Sequence, residues 1–94
     1  MTMKFRFTDL LKFIKVILVI IWRSENGESY ALKIYREMIR NNELDYHYTY
    51  QFLIDFMRQM EECGYLRSRK EGRKLLFSMT EKGTKLLGLL SEDS

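Results

Sequence analysis

The stretch from residue 48 to residue 66 most strongly constrains what this chain can fold into. Apolar side chains recur at spacings of three and four, which predicts an amphipathic helix with Leu53, Phe56, Met57 and Met60 inward. The opposite face carries or borders Tyr50, Gln51, Ile54, Asp55 and Arg58, which remain available for other contacts. Gly64 follows where a helix end favours a residue tolerant of positive φ. The pattern predicts a helix with a spare polar face, closed by glycine and followed by an extended run.

Length and charge set the broad class of protein. The chain has 94 residues with 46% apolar content, so we expect one globular domain over residues 1–94. The net charge of +3 is a weak indicator, but its distribution is informative. Residues 67–85 hold seven basic and two acidic side chains, whereas residues 24–66 hold four basic and eight acidic ones. Positive charge is gathered in the C-terminal third and at the N-terminus, as a phosphate-facing surface requires.

Several classes of protein are disfavoured. A single cysteine, Cys63, excludes an internal disulfide and a multi-cysteine metal site, and we interpret it as a half-buried residue rather than a link between two copies. The apolar run 14–22 is shorter than the ~20 residues that span a bilayer. No signal-peptide cleavage site follows it. We expect an intracellular protein without a membrane partner.

The first predicted helix runs from an N-cap at Thr8 or Asp9 to about Arg23, after an arm at residues 1–7. Its inward face is predicted to hold Leu10, Leu11, Ile14, Ile17, Leu18, Ile21 and Trp22. Further apolar residues fall outside that stripe, so the helix is apolar nearly all round. A small chain rarely buries every face of one helix, which predicts a homodimer. The expected dimer interface consists of Phe13, Val16, Ile17, Val19 and Ile20.

The next part of the chain predicts two further helices. The segment 24–27 is a turn, and the second helix opens at Glu28 or Ser29 and runs to about Arg40. Its inward positions are Tyr30, Ile34 and Met38, with Leu32, Tyr35 and Ile39 as further candidates. Asp45 is the preferred N-cap of the third helix, at about 46–63, with Thr49 as the alternative.

The C-terminal part predicts a hairpin and a fourth helix. Residues 65–70 and 74–79 are two short extended runs around a linker at 71–73 that contains glycine. Thr80 is the expected N-cap of the last helix, which carries Leu86, Leu87, Leu89 and Leu90, and residues 91–94 form a frayed tail. The order is three helices, two strands and a helix. It predicts a mainly α fold with a small β-hairpin, the winged helix-turn-helix.

The sequence also resembles a known family at three places. The run from Gly27 to Ile34 is similar to the segment that opens the second helix of PadR-type transcription regulators. The third helix and its exit resemble the PadR recognition helix at Leu53, Met57, Met60, Gly64, Tyr65 and Leu66. Residues 73–83, ending in Thr80-Glu81-Lys82-Gly83, resemble the wing strand shared by PadR and MarR relatives. The size and layout are similar to the compact winged-helix proteins of archaeal viruses and plasmids. The resemblance implies a regulator that binds double-stranded DNA.

Under that interpretation the third helix enters the major groove and the hairpin is the wing. Gln51 is the candidate for base reading, because an amide can bond bidentately to adenine. The hydroxyls of Tyr48, Thr49 and Tyr50 would donate to phosphates, and Arg58 would reach the backbone or a guanine. The full predicted DNA-binding set is Tyr48, Thr49, Tyr50, Gln51, Ile54, Arg58, Arg69, Lys70, Arg73 and Lys74. The alternative is that the hairpin cations only protect a solvated edge from strand pairing.

Acidic residues on the third helix need a separate explanation. We expect Asp55 to pair with Arg58 or Gln59. Glu61 and Glu62 lie two turns past the base-reading end and are expected to point away from DNA.

Other functions find less support in the residues. Tyrosines at helical spacing are more often core than a pocket for a small-molecule effector. His47 is the single histidine and has no partner at ligand spacing, so we expect no metal, and we find no cofactor motif or catalytic relay that would indicate an enzyme. Two alternatives stay open, a protein-interaction module built on the apolar first helix and a DNA binder without sequence preference. Salt dependence of duplex binding separates the first of these from a DNA-binding protein.

Overall fold

The computed structural model describes residues 7–40 and 48–92. Four helices are present in these ranges: α1 (Phe7–Arg23), α2 (Ala31–Arg40), α3 (Tyr50–Glu62) and α4 (Glu81–Glu92). Three strands accompany them: β1 (Glu28–Tyr30), β2 (Leu66–Glu71) and β3 (Lys74–Met79). The fold is mainly α with a small antiparallel sheet, and the predicted order of helices and hairpin is confirmed. No helix in the described part of the chain is both long enough and apolar enough to span a membrane.

The strand β1 was not expected, since Glu28 and Ser29 were predicted to open the second helix. A short helical turn at Glu25–Gly27 places Asn26 and Gly27 at positive φ, and the chain leaves it extended at Glu28. Ser29 then pairs with Phe77, so β3 is the central strand in the order β1-β3-β2. A strand of three residues is too short to show alternation in a sequence. The helix begins only after it, at Ala31.

The buried face of α1 differs from the predicted one. Four of the five residues assigned to a dimer interface are buried inside the chain itself, namely Phe13, Val16, Ile17 and Ile20. Helix α1 packs against α2, α4, β1 and β3, which cover it from several sides. The surplus apolar surface is therefore used within one subunit, and the premise of a dimer through these four residues is wrong. Val19 remains half-buried, and Trp22, predicted inward, is 64% exposed.

Two other helices also show apolar residues at the surface. Helix α2 buries Ala31, Ile34 and Met38, while the candidate inward positions Leu32 and Ile39 are exposed. Helix α4 buries Leu87 and leaves Leu89 exposed. These helices bury one narrow stripe each, because only one side faces the core around Phe77 and Ile17.

The start of α3 is set by the alternative N-cap. Thr49 is extended and its hydroxyl oxygen accepts a hydrogen bond from the backbone N–H of Phe52, 3.0 Å away. The helix therefore begins at Tyr50, later than predicted from an Asp45 cap. Residues 41–47, with Asp45 and His47, lie outside the described part, as do most of the predicted arm and the last two residues of the predicted tail. Phe7 belongs to α1, and Ser91 and Glu92 belong to α4.

The hairpin turn is one residue shorter than the predicted linker. Glu71 pairs with Lys74, so the turn consists of Gly72 and Arg73. Gly72 has φ +64°, a conformation that suits glycine at the first position of a two-residue hairpin turn. The tight turn projects Arg73 and Lys74 at the tip of the wing.

Candidate nucleic-acid interface

The outward face of α3 carries the residues predicted to read bases. Gln51, Asp55 and Arg58 are exposed and lie on one helical face. The Gln51 amide nitrogen donates to an Asp55 carboxylate oxygen, 2.9 Å away. This hydrogen bond corrects the predicted pairing of Asp55 with residues further along the helix. It also fixes the amide, so that the carbonyl oxygen and the second N–H of Gln51 stay available.

Two of the predicted phosphate ligands, Tyr48 and Thr49, directly precede α3 and differ in their surroundings. Thr49 is exposed, and its hydroxyl caps the helix while keeping its own proton to donate. The Tyr48 hydroxyl oxygen is buried, and its ring packs edge-on against Phe13 with 5.1 Å between centroids. Burial, with a smaller effect of Tyr35, raises the pKa of Tyr48 to about 12. Tyr48 is therefore a packing residue at this site rather than a phosphate donor.

An open groove lies between α2, α3 and the tip of the wing. It has a volume of about 430 Å³, and we call it the cationic groove. Its lining consists of Tyr30, Ala31, Leu32, Lys33, Arg36, Tyr50, Ile54, Arg73, Lys74 and Leu75. The predicted site residues Tyr50, Ile54, Arg73 and Lys74 thus meet on one surface. Lys70 is exposed on β2 and pairs across the hairpin with Leu75, which lines this groove.

Two lining residues, Lys33 and Arg36, were not among the predicted site residues. They lie one helical turn apart on α2 and are exposed. No described acidic side chain lines the cationic groove. The spacing of two cations near the start of the second helix was visible in the sequence, but the closeness of that helix to the wing depends on β1, which was not predicted.

On the outer face of the sheet, the predicted DNA ligand Arg69 contacts two acidic residues of the same subunit. Its guanidinium donates two hydrogen bonds of 2.8 Å to the two carboxylate oxygens of Glu28, and a third nitrogen lies 3.4 Å from Glu71. The hydrogen bonds from Arg69 hold the pKa of Glu28 below its ordinary value. Tyr30 donates to Glu71 over 2.9 Å, which raises the pKa of Tyr30. Arg69 is therefore occupied within the subunit, unlike Arg73 at the wing tip.

The acidic end of α3 also makes contacts within the subunit. The Glu61 carboxylate accepts from the hydroxyl of Ser68, 2.8 Å from either oxygen, and from its backbone N–H over 3.1 Å. Glu61 thereby fixes β2 against α3. Glu62 is exposed.

The segment Thr80-Glu81-Lys82-Gly83, which carried the family resemblance, has a structural role. The Thr80 hydroxyl donates to the carbonyl of Gly64 and accepts from the N–H of Gly83, so it joins the end of α3 to the start of α4. The Lys82 ammonium donates to the carbonyl of Cys63 over 2.7 Å and lies 4.6 Å from the Tyr65 ring centroid. We call this set of six residues, Cys63, Gly64, Tyr65, Thr80, Lys82 and Gly83, the α3–α4 junction.

Gly83 has a steric role in that junction. A Cβ atom at this position would overlap the carbonyl oxygen of Tyr65. Glycine is therefore needed for the close approach of the two segments. Gly64, at φ +88°, lets the chain turn from α3 into the hairpin.

Comparison with known proteins identifies the fold. No protein-family model matches the chain, and no curated protein matches it by sequence. The structure of a complex of hsRosR with S1 is similar with a TM-score of 0.71 and 18% identity, over 85% of this chain and 68% of that one. The plasmid segregation protein TubR, of type III, is similar with a TM-score of 0.60 and 10% identity, over 100% of this chain and 93% of that one. The likeness at these identities shows the winged-helix fold.

Proposed function

We propose that this protein binds double-stranded DNA with sequence preference and acts as a transcription regulator inside the cell. The observation that carries the proposal is that Tyr50 and Ile54 of α3 line one open groove with the wing cations, and the exposed polar face of α3 lies beside them. The first turn of α3 enters the major groove, and Arg73, Lys74 and Lys70 lie along phosphates or in the minor groove. A structural neighbour that segregates plasmids gives this proposal further support.

The proposed roles within α3 are distinct. Gln51 reads adenine through its carbonyl oxygen and its free N–H, held in orientation by Asp55. Thr49 and Tyr50 donate to phosphates, and Arg58 reaches the backbone or a guanine from the same exposed face. Ile54 lies beside them and contacts apolar edges such as a thymine methyl group.

The proposal is tested by selection of preferred sequences from a random duplex pool, followed by anisotropy titrations on the selected and a scrambled duplex. We expect enrichment of a defined site and an affinity that falls as salt rises. Gln51→Ala is expected to lose about 1–3 kcal/mol of discrimination between the two duplexes. A protein-interaction module would show no salt-dependent duplex binding, and a non-specific binder would show no enrichment.

We further propose that the protein binds DNA as a homodimer, with half-sites about 34 Å apart. Helices α1 and α4 pack together, and each exposes a large apolar side chain, Trp22 and Leu89. These exposed residues support an interface better than the buried residues predicted from sequence. Sedimentation analysis of Trp22→Glu tests it, because a dimer that buries Trp22 would dissociate while a monomer would be unchanged.

A further inference from the structure

We infer that the cationic groove holds one strand of the duplex by its sugar-phosphate backbone, with Lys33 and Arg36 of α2 as phosphate-binding residues. The inference rests on the proposed DNA binding and adds a second element, α2, to the recognition helix and the wing. It assigns a binding role to two residues that were outside the predicted site.

Charge complementarity identifies the occupant. The groove presents two cations from α2 and two from the wing, namely Lys33, Arg36, Arg73 and Lys74. None of the four forms an ion pair with another described residue. Four cations without an ion pair around one groove favour a ligand with several negative charges along its length, as a phosphodiester strand has.

The contrast with the neighbouring hollow strengthens the assignment. On the other side of Lys33, a separate hollow on the sheet is lined by Glu25, Glu28 and Glu71. Lys33 and Arg69 also line this hollow, so three carboxylates there face two cations, and Arg69 is paired with Glu28. The groove lining has no acidic residue and the hollow has three, so a polyanion is favoured on the groove side.

The floor of the groove suits the rest of a nucleotide. The apolar residues Ala31 and Leu75, which are less exposed than the cations, also line the groove. Lys74 is held in place because its ammonium lies 4.7 Å from the Tyr30 ring centroid. Phosphates at the rim and deoxyribose carbons on the floor would satisfy both kinds of surface. A lone inorganic anion would use only the rim.

The two cations of α2 can be removed without disturbing the core, since both are exposed. The test compares Lys33→Ala/Arg36→Ala with wild type on the selected and the scrambled duplex over a range of salt concentrations. We expect both duplexes to be bound about tenfold to a hundredfold more weakly, and the slope of log affinity against log salt to fall by roughly 2. Lys33→Gln/Arg36→Gln, which keeps hydrogen-bonding groups, is expected to show the same loss.

Arg40→Ala is the matched control, because Arg40 is an exposed cation on the same helix and lines a different groove with Lys15 and Arg23. It is expected to change the slope by much less. A slope equal to wild type in both double variants overturns the inference while leaving DNA binding intact. Loss of preference without uniform weakening also overturns it, since that pattern belongs to base contacts. Failure of the wild type itself to bind duplex refutes the proposed function instead.

Discussion

The cationic groove and the α3–α4 junction both border α3 and both contain basic side chains, four in the groove and one in the junction, but these side chains have different surroundings. In the junction, Lys82 donates to the Cys63 carbonyl and covers the Tyr65 ring. In the groove, Arg73 and Arg36 have no described acidic partner. A basic side chain therefore stabilises the fold at the C-terminal end of α3, whereas the basic side chains near its N-terminal end have no ion pair. Substitutions at the two ends should separate stability from DNA binding.

The largest effect is expected from Gly83→Ala, which breaks the junction. The added methyl group would overlap the Tyr65 carbonyl oxygen, and the backbone carbonyl cannot move without shifting the exit from α3. We expect a loss of about 3 kcal/mol in the free energy of unfolding, by analogy with overpacked cores. For a domain of this size that corresponds to a drop in Tm of roughly 12–24 °C.

Gly88→Ala provides the control for that measurement. Gly88 lies in the same helix, and a Cβ atom there meets nothing within 4 Å. Replacing an interior helical glycine by alanine should stabilise the protein by about 0.5–1 kcal/mol. Urea denaturation of the two variants should give shifts of opposite sign. A similar small effect in both would mean that the junction is not sterically closed.

The next largest effect is expected from a pair of lysine and arginine variants at the two ends of α3. Arg73→Ala should weaken binding to every duplex and lower the salt slope by about 1, with no measurable change in stability. Lys82→Ala should lower the stability by about 1 kcal/mol, because it removes a helix C-terminal hydrogen bond and a cation–π contact. Anisotropy titrations and thermal melting on both proteins check the separation. If Lys82→Ala changed the salt slope as much as Arg73→Ala, the distinction between the two regions would be lost.

The sequence predicted those parts of the fold that depend on local patterns. Helical spacing placed α3, Gly64 marked its end, and glycine between two extended runs placed the hairpin. Thr80 was predicted as the N-cap of α4, and its hydroxyl accepts from Gly83. These elements are encoded by neighbouring residues, so a single sequence is sufficient to find them.

What the sequence did not predict depends on partners far apart in the chain. The strand β1 exists because Ser29 lies beside Phe77, and Arg69 is occupied because Glu28 is brought to it across the sheet. The burial of Phe13 and Val16 results from several elements surrounding α1. Tyr48 was chosen for its hydroxyl, but the aromatic cluster around Phe13 buries it. The positive charge of the wing was therefore predictable from sequence. Which of its cations form ion pairs within the subunit, as Arg69 does, was not predictable.

A smaller effect is expected from Asp55→Ala, which tests whether Asp55 orients the Gln51 amide at the N-terminal end of α3. Without the carboxylate, the Gln51 amide loses the hydrogen bond that orients it. We expect the ratio of affinities for the selected and the scrambled duplex to fall by roughly threefold to tenfold, which corresponds to the free-energy contribution of one hydrogen bond. Affinity for the scrambled duplex should rise, because a negative charge near phosphates is removed. Asp55→Asn keeps an acceptor and should retain the preference, and equal loss in both variants would contradict an orienting role.

The smallest effect is expected from the pH dependence of the ion pair on the outer sheet face. Arg69 lowers the pKa of Glu28 from its ordinary value of 4.5, so the folded protein binds the Glu28 proton less readily than the unfolded chain does. The stability that the pair contributes is therefore complete above about pH 4.5 and is lost as the pH falls through the lowered pKa. Both side chains are solvated, so the change should be slight. Thermal melting of wild type and Glu28→Gln between pH 6 and pH 3 measures it, with the difference between the two proteins shrinking toward acid. A difference that stayed constant over this range would show that Arg69 is not held by Glu28.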